Sequence, residues 1–115
     1  MALKIYYIDD EAELCEIFQY TFEADDIQIQ TFTDTILASE AIKQSAPDLI
    51  FVDFRLPRTT GDEFALTLPP SIPKFLVTGD IMLETKYPFT KIIPKPYRKD
   101  EIEQCIRVYL DRSKA

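Results

Sequence analysis

An open parallel α/β sheet with helices on both faces is predicted by two observations. Strand-like and helix-like segments alternate five times along the 115 residues, the order that builds a layered parallel sheet. Four apolar runs also end in polar tips: LKIYYI in Asp9-Asp10, LIFV in Asp53, KFLV in Thr78-Gly79 and KIIP in Lys95-Pro96. Strands covered on both faces read as continuous apolar runs rather than as alternations.

The first strand, residues 3–9, is β-branched and aromatic. Residues 11–24 carry Leu14, Ile17, Phe18, Thr21 and Phe22 at the spacing of a one-faced helix. IQIQTF, residues 27–32, alternates apolar and polar as a half-solvated edge strand does. Asp34 caps a helix to about residue 45, with Leu37, Ala38, Ala41 and Ile42 inward, and Pro47 stops it.

Residues 49–52 form the central strand, closed by Asp53, and residues 54–60 read as a loop. Gly61-Asp62-Glu63 opens a third helix that cannot pass Leu68, because Pro69, Pro70 and Pro73 follow. Residues 74–78 are the fourth strand. Residues 80–86 have room for at most about two helical turns before Pro88. Residues 91–94 are the fifth strand, and 98–112 the last helix, with Ile102, Ile106, Tyr109 and Leu110 inward. The sum is a flavodoxin-like five-stranded parallel sheet of order 2-1-3-4-5, with the third and fourth helices shortened.

At 13.4 kDa and 46% hydrophobic residues, the chain reads as one domain, 1–115, able to bury roughly two-thirds of its unfolded surface. Thirteen basic against twenty acidic residues leave a net charge of −7, which disfavours nucleic acid as a partner. No histidine is present, so imidazole bases, imidazole-built zinc sites and phosphohistidine on this chain are excluded. Cys15 and Cys105 fit no metal or redox motif and read as inert free thiols in a reducing, cytoplasmic setting. The opening MALKIYYIDDE does not read as a signal peptide, and no apolar stretch approaches the length of a membrane span.

In such a sheet the loops after the strands share one edge, where ligands bind. The four tips therefore bring together three carboxylates, a hydroxyl and an ammonium, a set able to hold a divalent metal and a phosphoryl group. Taken singly, each has an ordinary explanation: Asp9 or Asp10 as a helix cap, Asp53 as a strand-end turn residue, Thr78-Gly79 as a turn, Lys95 as a solvated lysine. Those explanations do not account for their meeting at one edge. Glu11 reads as a first-turn partner of the helix dipole rather than a ligand.

With IDDE at 8–11, VDFRLPRTTG at 52–61, VTGD at 77–80 and PKP at 94–96, the whole chain resembles the receiver domains of two-component response regulators. The resemblance implies Asp53 as the nucleophile that carries a phosphoryl group, with Thr78 and Lys95 binding its oxygens. It implies Mg²⁺ held by Asp9, Asp10, Asp53 and the backbone carbonyl of Arg55, Asp9 acting through water. It also implies a cis peptide at Lys95-Pro96. A histidine kinase or phosphotransfer protein would be the donor and a further protein the downstream partner; a stand-alone regulator of this kind is a phosphoacceptor rather than an enzyme.

Two departures qualify the output. Ile92 stands where the family usually carries an aromatic switch residue, three positions before the lysine. Twenty-five residues from Asp53 to Thr78 and seventeen from Thr78 to Lys95 are short gaps, and the prolines place the loss in the third and fourth helices. These features favour, as the alternative, a pseudo-receiver adaptor that works without phosphate. A small Mg²⁺-dependent phosphatase would need a second carboxylate where Arg55 stands. A flavin protein would meet acidic loop tips that repel its phosphate.

Overall fold

The computed structural model describes residues 2–80 and 84–114. Strands β1 (Leu3–Ile8), β2 (Ile27–Phe32), β3 (Leu49–Asp53), β6 (Lys74–Thr78) and β7 (Lys91–Pro94) form one five-stranded sheet of order β2-β1-β3-β6-β7, every neighbouring pair parallel. A two-residue hairpin, β4 (Arg55–Leu56) against β5 (Thr59–Thr60), interrupts the numbering. The strand order is otherwise the one the sequence predicts. Helices α1 (Ala12–Phe22), α2 (Thr35–Gln44), α3 (Gly61–Leu66) and α4 (Lys99–Lys114) complete the described elements.

Alternation along each central strand sends side chains to opposite faces, and two cores result. Leu3, Ile5, Tyr7, Leu49, Phe51, Phe75, Val77 and Ile93 pack under α1 and α4. Tyr6, Ile8, Ile50, Val52 and Leu76 pack under α2 and α3. Because both faces of β3 and β6 are covered, their side chains up to Val52 and Val77 are all buried, which is why LIFV and, after Lys74, FLV are uninterruptedly apolar.

Two helix faces differ from expectation. In α1 the buried stripe is Cys15, Phe18 and Phe22, while Ile17 is 53% exposed. Phe18 stacks on Tyr7 at 4.1 Å and lies 5.3 Å from Phe51, and this aromatic packing turns the helix so that Cys15 enters the core. In α2 Ala38 and Ile42 are buried and Leu37 is 55% exposed. Small Ala38 lets the helix approach the sheet there. The expected cap is present: the Asp34 carboxylate accepts from the amides of Ile36 and Leu37 at 2.6 and 3.1 Å.

The expected loop at 54–60 is instead the β4–β5 hairpin. Pro57 suits the first corner, and Arg58 adopts φ 68°, the left-handed conformation that a type II turn requires at its second corner. Thr60 then caps α3, its hydroxyl accepting from the Glu63 amide at 3.2 Å. This helix is six residues long and ends at Leu66, short of Pro69, as the prolines dictate. Residues 84–90 contain no helix; of the helix expected at 80–86, positions 81–83 lie outside the described residues.

Gly61 sits where no side chain fits. A Cβ on it would lie 2.5 Å from the carbonyl oxygen of Asp53 and 3.0 Å from Leu76 Cδ1. Gly61→Ala is expected to destabilise the fold by about 2 kcal/mol through overpacking. Urea denaturation checks this, and an unchanged midpoint would contradict the close approach.

Candidate phosphoacceptor and metal site

Each candidate side chain stands at the carboxyl end of a strand, and parallel pairing brings these ends together. β1 pairs with β3 from Ile5↔Leu49 to Ile8↔Val52, so Asp9 and Asp53 both follow immediately at that edge. β3 and β6 align Asp53 with Val77, and β6 and β7 align Thr78 with Pro94. The Lys95 amide donates to the Thr78 carbonyl at 2.8 Å, and the Lys95-Pro96 peptide is cis.

Carboxylate oxygens of Asp9, Asp10 and Asp53 lie within 4.8 Å of one another, a group that could hold a metal ion. Asp9 is fully buried, Asp53 partly exposed and Asp10 exposed. Lys95 reaches into the cluster, its Nζ 2.8 Å from Asp9 Oδ2 and 3.4 Å from Asp53 Oδ2. One ammonium among three carboxylates leaves an excess of negative charge, the condition that a hard, oxygen-seeking cation relieves. Asp10, Glu11, Asp53, Arg55, Thr78, Gly79, Asp80 and Lys95 line an open depression of about 590 Å³ above them.

The electrostatics follow from burial. Desolvation pushes the Asp53 carboxyl above its ordinary pKa, with the Asp9 charge adding to the effect and the Lys95 charge opposing it. Burial alone would lower Lys95, but its hydrogen bond to Asp9 and the charges of Asp53 and Asp9 outweigh this and hold it above its usual value. The ammonium therefore stays charged.

Further contacts set the shape. Asp53 Oδ1 accepts from the Phe54 amide at 2.8 Å, which leaves Oδ2 facing Lys95. Thr78 Oγ1 accepts from the Asp80 amide at 3.1 Å. Across the mouth, Arg55 Nη2 lies 3.5 Å from Asp80 Oδ2.

Asp9 also accepts from the Glu11 amide at 3.0 Å through Oδ1. That bond gives it part of the ordinary turn role, while Oδ2 faces Lys95. Glu11, expected in the first turn, instead occupies the N-cap position of α1 with no capping bond from its side chain, and Glu13 is the acidic residue of the first turn.

Tyr7 was not legible as part of the site from its residue type. Its hydroxyl donates to Asp9 Oδ2 at 2.9 Å, and burial together with the Asp9 charge drives its pKa far up, so it remains a donor. The available signal was spacing: residues i and i+2 of a strand share a face, so Tyr7 lies beneath Asp9. Both cysteines are free and buried. Burial first, and then the Asp9 charge, raises the Cys15 thiol, in keeping with an inert side chain. No helix among the described residues is long and apolar enough to cross a membrane.

In sequence, the chain is similar to DNA-binding response regulator MtrA of Mycobacterium tuberculosis, 24% identical over 120 residues, covering 98% of this chain and 53% of that protein. It is similar to alkaline phosphatase synthesis transcriptional regulatory protein PhoP of Bacillus subtilis, 26% identical over 121 residues, covering 98% and 50%. The chain thus spans about half the length of the curated relatives it matches.

In structure, it resembles the signal receiver domain of an HD domain-containing protein from Pseudomonas fluorescens, with a TM-score of 0.87, 18% identity and 97% of each chain covered. It also resembles a CheY-like receiver domain from Methanospirillum hungatei, with a TM-score of 0.86, 21% identity, and 99% and 98% covered. At these identities the likeness is one of fold. The response regulator receiver domain matches residues 5–107, and to that family of two-component signalling domains this chain belongs.

Proposed function

We propose that residues 1–115 form a single receiver domain that accepts a phosphoryl group on Asp53 from a histidine kinase or phosphotransfer protein and signals through a protein partner. The observation that carries this is the meeting of Asp9, Asp10 and Asp53 within 4.8 Å, with Lys95 Nζ 3.4 Å from Asp53. A carboxylate oxygen of Asp53 forms the new P–O bond as the donor's P–N bond breaks, giving an acyl phosphate. Lys95 then turns from Asp9 and Asp53 to the phosphoryl oxygens. The Thr78 hydroxyl, which accepts from Asp80, keeps its own hydrogen to donate.

Asp9, Asp10, Asp53 and the backbone carbonyl of Arg55 would hold Mg²⁺. When bound, the ion neutralises charge on the phosphoryl oxygens and brings the group close to the carboxylate. The protein serves as acceptor and reacts once per phosphoryl group, so it is not an enzyme with an independent substrate. The DNA binding named for the mycobacterial relative is not carried over: a net charge of −7 offers no general attraction to a phosphate backbone.

Intact mass after incubation with acetyl phosphate and Mg²⁺ tests the reading. The expected gain is one phosphoryl group per chain, labile to hydroxylamine and absent in metal-free buffer. Mg²⁺ should also raise the melting temperature, adding about 1.4 kcal/mol when free metal is tenfold above its dissociation constant. A melting temperature indifferent to millimolar Mg²⁺ would refute the metal site.

The Arg55–Asp80 pair spans the approach to Asp53. Arg55→Ala and Asp80→Ala are each expected to shorten the lifetime of the acyl phosphate, and the double variant no further. An exposed pair is worth about 0–1 kcal/mol, so the change should be roughly fivefold or less. Equal decay in all proteins would show two solvated side chains without a shared effect.

A phosphate-independent adaptor is the second reading, favoured by Ile92 in the switch position, 45% exposed. Failure of the natural protein to gain mass with any donor would support it.

A further inference from the structure

Among the described residues, four polar or charged side chains are buried: Asp9, Thr78, Asp62 and Lys74. The first two belong to the site, whereas Asp62 and Lys74 do not. Lys74 satisfies its three donors with the carbonyls of Pro69 and Ile72 and the Tyr87 hydroxyl. Asp62 is less well provided. One carboxylate oxygen accepts from the Lys86 amide at 2.6 Å, and Oδ1 has no partner. A buried, half-satisfied carboxylate is costly, so the contact it makes calls for an explanation.

That contact joins residues 24 apart in sequence and fastens the first turn of α3 to the segment leading into β7. Tyr87, next in sequence, is held by Lys74 and meets Phe89 edge-on at 5.0 Å, and Phe89 packs on the core under α2 and α3. The anchored end is therefore part of the rigid body. On the other side of Asp62 stands Gly61, whose amide donates to the Phe54 carbonyl at 2.7 Å and whose α-carbon abuts the Asp53 carbonyl.

We propose that Asp62 is a positioning residue for the phosphoacceptor, its bond to the Lys86 amide holding α3, through Gly61, against the backbone of Asp53. This rests on the reading of Asp53 as the acceptor. Asp62 touches neither metal ligands nor phosphoryl group, so its effect falls on the reaction rate rather than on donor binding. Small misplacements of a reacting group cost one to two orders of magnitude in rate.

The test compares the natural protein with Asp62→Ala and Asp62→Asn, the latter keeping an oxygen for the Lys86 amide. With acetyl phosphate as the donor and saturating Mg²⁺, Asp62→Ala should lower the maximal phosphorylation rate about tenfold. The half-saturating donor concentration should stay the same. Asp62→Asn should remain within about twofold of the natural rate, a difference expected for an acceptor oxygen that is retained. Undiminished rates in Asp62→Ala, or Asp62→Asn as slow as Asp62→Ala, would overturn the proposal.

Hydrogen exchange of the Gly61 amide reads the same tie without phosphoryl chemistry. Its protection should fall in Asp62→Ala and persist in Asp62→Asn; equal protection in all three proteins would also overturn the inference. If no protein accepted phosphate while Gly61 exchange responded as expected, the tie would stand and the phosphoacceptor reading would fall.

Discussion

Asp53→Asn is expected to abolish acceptance of a phosphoryl group, a loss of at least about a thousandfold in rate. Asparagine matches aspartate in shape but lacks the anionic oxygen that forms an acyl phosphate. Asp9 cannot substitute. Asp9 is fully buried, with its oxygens already engaged by Tyr7, Lys95 and the Glu11 amide.

The variant should nevertheless fold. Removing one of three crowded carboxylates relieves repulsion, so metal-free stability should hold or rise, while Mg²⁺ affinity falls. Intact mass and melting temperature, measured on the same samples, separate these effects. Phosphorylation that persists in Asp53→Asn would refute the assignment, and a natural protein that gains no mass with any donor would leave the adaptor reading as the better one.

Lys74→Met is expected to give the largest loss of stability, about 3 kcal/mol. Methionine preserves the apolar stem of the lysine but donates nothing. Three oxygens, at 2.8, 2.9 and 2.9 Å from Nζ, would lose their donor, that of Ile72 in a buried bond and those of Pro69 and Tyr87 in part-buried ones. Each orphaned acceptor costs about 1–3 kcal/mol, and release from burying an ammonium offsets part of the sum. The cation also lies 4.9 Å from the centre of the Tyr87 ring, a contact the variant loses.

For a domain of this size the melting temperature should fall by about 10–15 °C. Tyr87→Phe removes only one acceptor and should cost about 1 kcal/mol. A melting temperature within about 2 °C of the natural protein for Lys74→Met would show that water replaces the lysine without penalty. Phosphorylation chemistry should survive at temperatures where the variant is folded, because Lys74 lies at the opposite end of β6 from Thr78.

The sheet was legible in the sequence because burial on both faces leaves a strong, local signal. Runs such as LIFV and KFLV admit few alternatives once a polar tip closes each of them. The shortened α3 was legible for an equally local reason, since Pro69 and Pro70 cannot continue a helix. Cooperation among Asp9, Asp10, Asp53, Thr78 and Lys95 could be inferred because parallel strands put their carboxyl ends on one edge.

Other features depend on partners remote in sequence. Which residues of α1 face inward was decided by the stack of Phe18 on Tyr7 and its packing near Phe51, so Ile17 turned outward and Cys15 inward. Tyr7 joined the site because the pleat placed it under Asp9. Lys74, in sequence the lysine that opens the fourth strand, became a buried clamp only through carbonyls from one connection and a hydroxyl from the next. Strand identity, helix stops and the placement of the strand-end residues are determined by a few adjacent residues and could be read from sequence alone. Helix rotation and the satisfaction of buried charge are determined by contacts across many residues, which only the tertiary structure decided.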